Sequence, residues 1–287
     1  MKKLLVAIDF SPASKAAFDY AAWLSIQLDA ELTAIHVAHP IRTTETLAPA
    51  IVAKMESKED AKLLAQLREF TTFYPALGAE ELTASPRATC LVKRGNPSTE
   101  IIRTATNEAV DTIVIGTKAK HTIWQQVFGS LTTALITDSP KSLLIVPENN
   151  EIEEVKNIAF ASAINLEEEA IMPNLFDFAE KVGAGVHPFY INAAKEERFK
   201  LKEELLDPGW SQEDAPSSVT MIREKSIVDG IAYFLEKYPC EILALYVPRR
   251  AFFEQIFHRS LSKQVAYSTR IPLLVCKQPV DQDRQRN

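Results

Sequence analysis

Two segments carry residues whose types and spacing suggest chemistry. One is Val6-Ala7-Ile8-Asp9-Phe10-Ser11, an apolar run that ends on a carboxylate. The other is Ile115-Gly116-Thr117-Lys118-Ala119, followed after nine residues by Gly129-Ser130-Leu131-Thr132. A strand that ends in glycine, then a loop, then Gly-Ser opening a helix is a pattern that cradles phosphate. Glycine lets the backbone approach closely, and a helix N-terminus offers unpaired N–H donors with a favourable dipole. A carboxylate that ends a first strand stands where open α/β sheets bind ligands, outside the carboxyl ends of the strands. Each segment also has a plainer reading. Asp9-Phe-Ser-Pro is equally a helix-capping turn, and single glycines after strands commonly serve turns. Lys118 and Lys120 read as solvated loop lysines, Trp124 and Phe128 as packing residues, and His36 as a strand residue with a satisfied side chain.

Other chemistries have no sequence support. No Gly-x-Gly-x-x-Gly follows a strand, and there is no Gly-Lys-Ser/Thr phosphate loop. Neither a Gly-x-Ser-x-Gly elbow nor a His-x-x-x-His zinc helix occurs. No general base is placed to activate water on a ligand held by its phosphates, so the expectation is binding rather than turnover.

The elements that must position these residues alternate regularly. Lys3 to Ile8 reads as a buried strand, and Ser11-Pro12 as a helix cap with proline in the first turn. Ala17, Tyr20, Ala21, Leu24 and Leu28 follow at helical spacing. Strands are then expected at Leu32–Ala38, Thr89–Val92, Thr112–Ile115 and Leu143–Val146. Between them the reading places helices carrying Leu63 to Tyr74, Ile101 to Ala105 (after a second cap, Asn96-Pro97) and Leu131 to Ile136. Such strict alternation implies a parallel sheet covered by helices on both faces.

After Pro147 the acidic stretch Glu148–Glu154 reads as a linker, and the same order returns. Two domains follow, residues 1–150 and 151–287. Strands are expected near Asn157–Phe160, Val186–Ile191, Ser218–Ile222, Ile242–Val247 and Leu273–Cys276. Pro173 falls inside a helical stripe, so that helix either kinks there or starts late. Adding 130 places Asp111 on Glu241, Ser130-Leu131 on Ser260-Leu261 and Leu143-Leu144 on Leu273-Leu274. The opening strands suggest an offset of 152, with Asp9 against Ala161. On these offsets Gly116 becomes Tyr246, Ala119 becomes Arg249 and Gly129 becomes Arg259, while Phe252 and Phe253 enter the loop. The second copy therefore reads as a non-binding partner domain, with its arginines able to accept some other anion. Glu167-Glu168-Glu169 is expected near a helix start, where negative charge complements the dipole.

Composition narrows the class. The chain has 287 residues, 46% hydrophobic and 24% charged, with net charge −6. There are 15 basic and 16 acidic residues up to Asn150, and 17 and 22 after it. Neither half carries the positive field that nucleic acid or an anionic membrane needs. The apolar opening Leu4–Ile8 imitates a signal peptide but stops after five residues at Asp9, which favours a strand. No stretch approaches a membrane span. Three widely separated cysteines, Cys90, Cys240 and Cys276, suit reduced thiols in a cytoplasmic protein.

On these residues the chain resembles the universal stress protein family in two copies. The matching segments are Val6–Ser11, Ile35-His36-Val37, Gly95-Asn96-Pro97, Asp111–Gly116, Gly129-Ser130 and Ser142–Val146. The resemblance implies open five-stranded parallel sheets of order 3-2-1-4-5, Rossmann-like, with helices on both faces. It also implies an adenine-nucleotide site, for ATP with Mg. Ala7, Ile8 and Asp9 would end the first strand with Asp9 on the ribose, and Val37 and Ile115 would flank the adenine. Gly116, Ala119, Gly129, Ser130, Leu131 and Thr132 would surround the phosphates. The family's nucleotide-binding branch has Gly where this chain has Ala119. Members of the family commonly dimerise through their last strands, which implies an intrachain pseudo-dimer through Leu143–Val146 and Leu273–Cys276, and a possible homodimer. The expected function is a cytoplasmic stress-response protein binding adenine nucleotide in its first domain. Its rivals are a non-binding interaction scaffold and, further off, a slow nucleotide hydrolase.

Overall fold

Leu4, Leu5 and Val6 are fully buried, as are Ile113 and Val114. Such unbroken apolar runs belong to parallel strands covered on both faces. The computed structural model describes residues 1–41, 48–72, 88–118, 130–152, 154–164, 166–193, 219–246 and 271–278. Their contacts divide the chain into two compact units. One holds Met1–Lys118, Ser130–Ser139 and Ile145–Ile152, and the other Pro140–Leu144 and the described part of Glu153–Asn287.

In the first half of the chain the elements run β1 (Lys3–Ala7), α1 (Pro12–Gln27), β2 (Glu31–Ala38), α2 (Pro49–Phe70), β3 (Thr89–Arg94), α3 (Pro97–Asn107), β4 (Thr112–Thr117), α4 (Ser130–Asp138) and β5 (Ser142–Pro147). The strand order is β3-β2-β1-β4-β5. The β1–β2, β1–β4 and β2–β3 pairs are parallel. Both expected caps form. Ser11 accepts from the Ser14 N–H at the start of α1, and Asn96 from the Thr99 N–H at the start of α3, each followed by proline. α2 is held to the sheet edge by Arg94. Its guanidinium donates to Asp60 at 2.9 Å, to Glu59 at 2.8 Å and to the His39 carbonyl at 2.9 Å. Leu67 is the buried residue of that helix, and Tyr74, expected to continue its stripe, lies outside the described residues.

The second unit repeats the plan with β6 (Asn157–Ser162), α5 (Leu166–Glu169), α6 (Met172–Val182), β7 (Gly185–Ala193), β8 (Thr220–Glu224), α7 (Ile227–Lys237), β9 (Ile242–Tyr246) and β10 (Leu273–Cys276). Its order, β10-β9-β6-β7-β8, is again five strands with the reversal beside the first. The pairs β6–β7, β6–β9, β7–β8 and β9–β10 are parallel. Phe189 and Phe234 stack at 4.0 Å between ring centroids in its core. The chain is thus an α/β protein with mostly parallel strands and helices, and each half carries the expected strand order 3-2-1-4-5. Pro173 sits in the first turn of α6 rather than inside a longer helix, so the helix starts late and does not kink there.

Hydrogen bonds fix the internal register. Asp111 accepts from the Lys2 and Lys3 N–H groups, and Glu241 from those of Lys156 and Asn157. Lys3 is level with Glu31, and Asn157 with Gly185. Asp29 (φ 49°) closes α1 and Gly183 (φ 74°) closes α6. Phe10 (φ 63°) and Ile164 (φ 49°) both turn left-handed after the first strand of their unit. Every one of these pairs except Asp111–Glu241 differs by 154 residues, which corrects the offset of 152. The reason for the slip is physical. A strand buried on both faces has no alternation to fix its register, and a shift of two keeps every side chain on its original face. The counterpart of Asp9 is therefore Ala163, whereas Ala161 lies within β6. Asp111 and Glu241 differ by 130, so the second copy is shorter by the difference between 154 and 130.

Candidate functional site

Asp9 leaves the carboxyl end of β1 and is exposed. Its Oδ1 accepts from both the Ser11 N–H (3.0 Å) and the Ser11 hydroxyl (2.5 Å), while that hydroxyl in turn accepts from the Ser14 N–H at 3.2 Å. One serine thus caps α1 and fixes the carboxylate. Partial burial pushes the Asp9 pKa up, but the Ser11 hydroxyl and N–H outweigh it and hold the group below its ordinary value. Oδ1 takes both Ser11 bonds and Oδ2 takes neither, while the Ser14 side chain and the Asp9 N–H lower the pKa a little further.

Between Asp9 and Ser11, Phe10 adopts a left-handed backbone that costs an L residue of this size about 1–2 kcal/mol. Its ring packs on His36 with centroids 4.6 Å apart and meets Phe70 of α2 edge-on at 5.4 Å. His36 Nδ1 lies 2.8 Å from the Ile8 carbonyl. A carbonyl only accepts, so Nδ1 is the donor and a neutral ring keeps Nε2 as an acceptor. This aromatic group was not foreseen from sequence. Phenylalanine carries no signal for a left-handed turn, whereas His36 is, as expected, a strand residue with a satisfied side chain.

Gly116 ends β4 beside the first turn of α1. A Cβ placed on it would stand 2.0 Å from the Ala13 carbonyl oxygen, 2.3 Å from its carbon and 2.8 Å from the Ser14 nitrogen. Glycine is therefore required for strand and helix to meet, whatever binds nearby. Because β1 and β4 are neighbours running in one direction, Asp9 and Gly116 lie at the same end of the sheet. Val37 reaches that end on β2, since Ala7 is level with Ile35. Ala7 and Val37 are partly exposed there, whereas Ile8 and Ile115 are buried. The strand order reverses between β2-β1 and β4-β5, the position at which open α/β sheets hold ligands outside the strand ends. α4 returns from β4 to β5, so its first turn, Ser130, Leu131 and Thr132, starts from this end, with Thr132 buried and Ser130 exposed. Ala119 and Gly129 lie outside the described residues, as do Arg249, Phe252, Phe253 and Arg259 of the second unit.

The second unit has a different tip. Ala163 stands where the first has Asp9, and Tyr246, 5% exposed, where it has Gly116. The three glutamates stand at a helix start, in α5, as expected, and Glu168 turns inward and is 1% exposed. No group of three His, Cys, Asp or Glu side chains able to hold a metal exists among the described residues. No helix among them is long and apolar enough to cross a membrane.

An open doubly wound sheet with a carboxylate and a glycine at its reversal point defines the class of small α/β ligand-binding folds. The profile of the universal stress protein family matches residues 1–147, and the chain belongs to that family. Universal stress protein YxiE of Bacillus subtilis (strain 168) is 29% identical over 154 residues, covering 50% of this chain and 97% of the relative. Among solved structures, a universal stress protein from Archaeoglobus fulgidus DSM 4304 superposes with a TM-score of 0.68 at 14% identity, covering 96% of this chain and 98% of the other. The protein PA1789 from Pseudomonas aeruginosa PAO1, described as functionally unknown, gives 0.52 at 10% identity over 97% and 93%. At these identities the two structures speak to fold alone.

Proposed function

We propose that the first unit, taken as residues 1–150, binds an adenine nucleotide, ATP with its Mg, and that the second, residues 151–287, binds none. The observation that carries this reading is the tethered Asp9. Its carboxylate is oriented by Ser11 through Oδ1, has its pKa lowered, and stands exposed at the reversal point of the sheet with Oδ2 outside the Ser11 bonds. A sugar hydroxyl is a fitting donor to that oxygen. Ala7, Ile8, Val37 and Ile115 would bound the base, while Gly116, Ala119, Gly129, Ser130, Leu131 and Thr132 would bound the phosphates. The metal would arrive on the nucleotide, since the described residues offer no cluster of their own. The chain would act as a cytoplasmic stress-response protein whose occupancy biases association with a partner or a second copy, without turnover.

One observation favours a second reading. Gly116 is fully explained by the approach of α1, so its presence need not mark a phosphate. A non-binding scaffold would keep the same glycine. Thermal unfolding with and without Mg·ATP separates the two. Ligand at about 100 times its dissociation constant adds about 2.7 kcal/mol to a binding protein. Stabilisation that Asp9→Ala removes supports the nucleotide reading. No stabilisation, or stabilisation that Asp9→Ala leaves intact, gives the scaffold.

A further inference from the structure

Glu168 is a charged side chain shut away from solvent at the carboxyl end of β6. Its Oε2 accepts from the Ser162 hydroxyl and its Oε1 from the Ala163 N–H, both at 2.6 Å, and the Ser162 oxygen also accepts from the Ile164 N–H at 2.9 Å. Burying a carboxylate costs several kcal/mol unless donors compensate, and short charge-assisted bonds supply that compensation. Cys276, level with Tyr246 on the neighbouring strand, lies close enough for the Glu168 charge to add to burial in raising its thiol pKa. Glu168 therefore faces the tips of β6 and β10 together.

The internal register gives this arrangement a meaning. The counterpart of Glu168, 154 residues earlier, is Ser14, whose nitrogen is 2.8 Å from the missing Cβ of Gly116. Positions 14 and 116 thus touch in the first unit, where serine and glycine leave the tip small. In the second unit both are enlarged, to Glu168 and Tyr246, and the helix that would follow is broken into α5 and α6. The carboxylate has also changed sides. Asp9 is exposed and takes its Ser11 bonds through one oxygen, whereas Glu168 is enclosed and bonded through both. We propose that Glu168 is a built-in anion, which occupies the donors at the carboxyl end of β6 from within and closes that end of the second unit to phosphate-bearing ligands. The Ala163 N–H and the Ser162 hydroxyl, the donors an incoming anion would use, are already taken, and a second negative charge beside Glu168 is repelled.

The inference rests on reading the second unit as non-binding, and one experiment on the full chain separates the two. Inorganic phosphate is titrated while the backbone amide resonances of Ala163 and Ile164 are followed, in the wild type and in Glu168→Ala. The expected result is no saturable shift in the wild type and a saturable one in E168A, with sodium formate raising the melting temperature of E168A more than sodium chloride at equal ionic strength. A saturable shift in the wild type defeats the non-binding reading itself. A silent wild type with an equally silent E168A, and formate no better than chloride, overturns only the built-in anion. Should E168A fail to fold even in formate, the isosteric Glu168→Gln decides by hydrogen exchange. Exchange at the Ala163 amide about tenfold faster than in the wild type supports the proposal, and unchanged exchange overturns it.

Discussion

The Ala13 carbonyl oxygen stands 2.0 Å from the point at which Gly116 would carry a Cβ. No real side chain tolerates that distance, and the obstacle is backbone at the start of a capped helix, which has little room to retreat. Gly116→Ala is therefore expected to cost at least about 1–3 kcal/mol through overpacking. Urea unfolding of the ligand-free chain is the measurement. A neutral G116A would mean that α1 moves freely against β4, and the account of this tip would fall.

The helix ends offer a matched pair of changes. Asp29 and Gly183 are counterparts, both left-handed, one a carboxylate and the other a glycine. Asp29→Gly should stabilise by about 0.5–1 kcal/mol, and Gly183→Ala should destabilise by about 1 kcal/mol. Nothing lies within 4 Å of the added methyl at residue 183, so strain rather than crowding sets the second value. Chemical denaturation of the two single variants tests both. Equal signs would contradict the equivalence.

Acid should find Asp9. Its folded pKa is lowered below the ordinary 3.8 by the Ser11 donors, which outweigh burial. A depressed carboxylate adds stability above its unfolded pKa, and that stability is lost as pH falls through the folded value. Between about pH 5 and 2 the wild type should lose melting temperature more steeply than Asp9→Asn. Parallel curves across that window would show that the Ser11 bonds do not favour the charged form.

Thiol labelling should divide the cysteines. Burial, assisted by the Glu168 charge, pushes Cys276 up to about 12, and burial with Glu241 pushes the half-exposed Cys240 up to about 11. Thiolate is the reacting species, so at pH 8 Cys276 should resist a disulfide reagent until the chain unfolds. Mass spectrometry after brief native labelling reads this out. Prompt modification of Cys276 would mean that the tip of β10 opens far more readily than its burial implies.

Much of the fold is legible in the residues. Ser11-Pro12 and Asn96-Pro97 announce helix starts because a side-chain acceptor and a fixed φ act locally. The strands announce themselves by unbroken apolar runs. What escapes the sequence is whatever depends on contacts across the sheet. The offset of 152 in place of 154 keeps the pattern but loses the equivalence of Lys3 with Asn157, which the Asp111 and Glu241 bonds and the strand registers fix. At the site, Asp9 and Gly116 stand out as a carboxylate and a glycine after strands. The left-handed Phe10, its stack on His36 and the inward turn of Glu168 do not, because aromatic and glutamate residues are compatible with many environments.

The equivalence of residue n with residue n + 154 at the start of each half turns the polypeptide into its own control. Ser14 and Glu168, or Asp9 and Ala163, are alternative solutions to one local problem, realised under identical buffer, concentration and expression history. Exchanging such a pair between its two homes asks whether a tip is specified by its own few residues or by the strands beneath it. The answer needs no second protein for comparison.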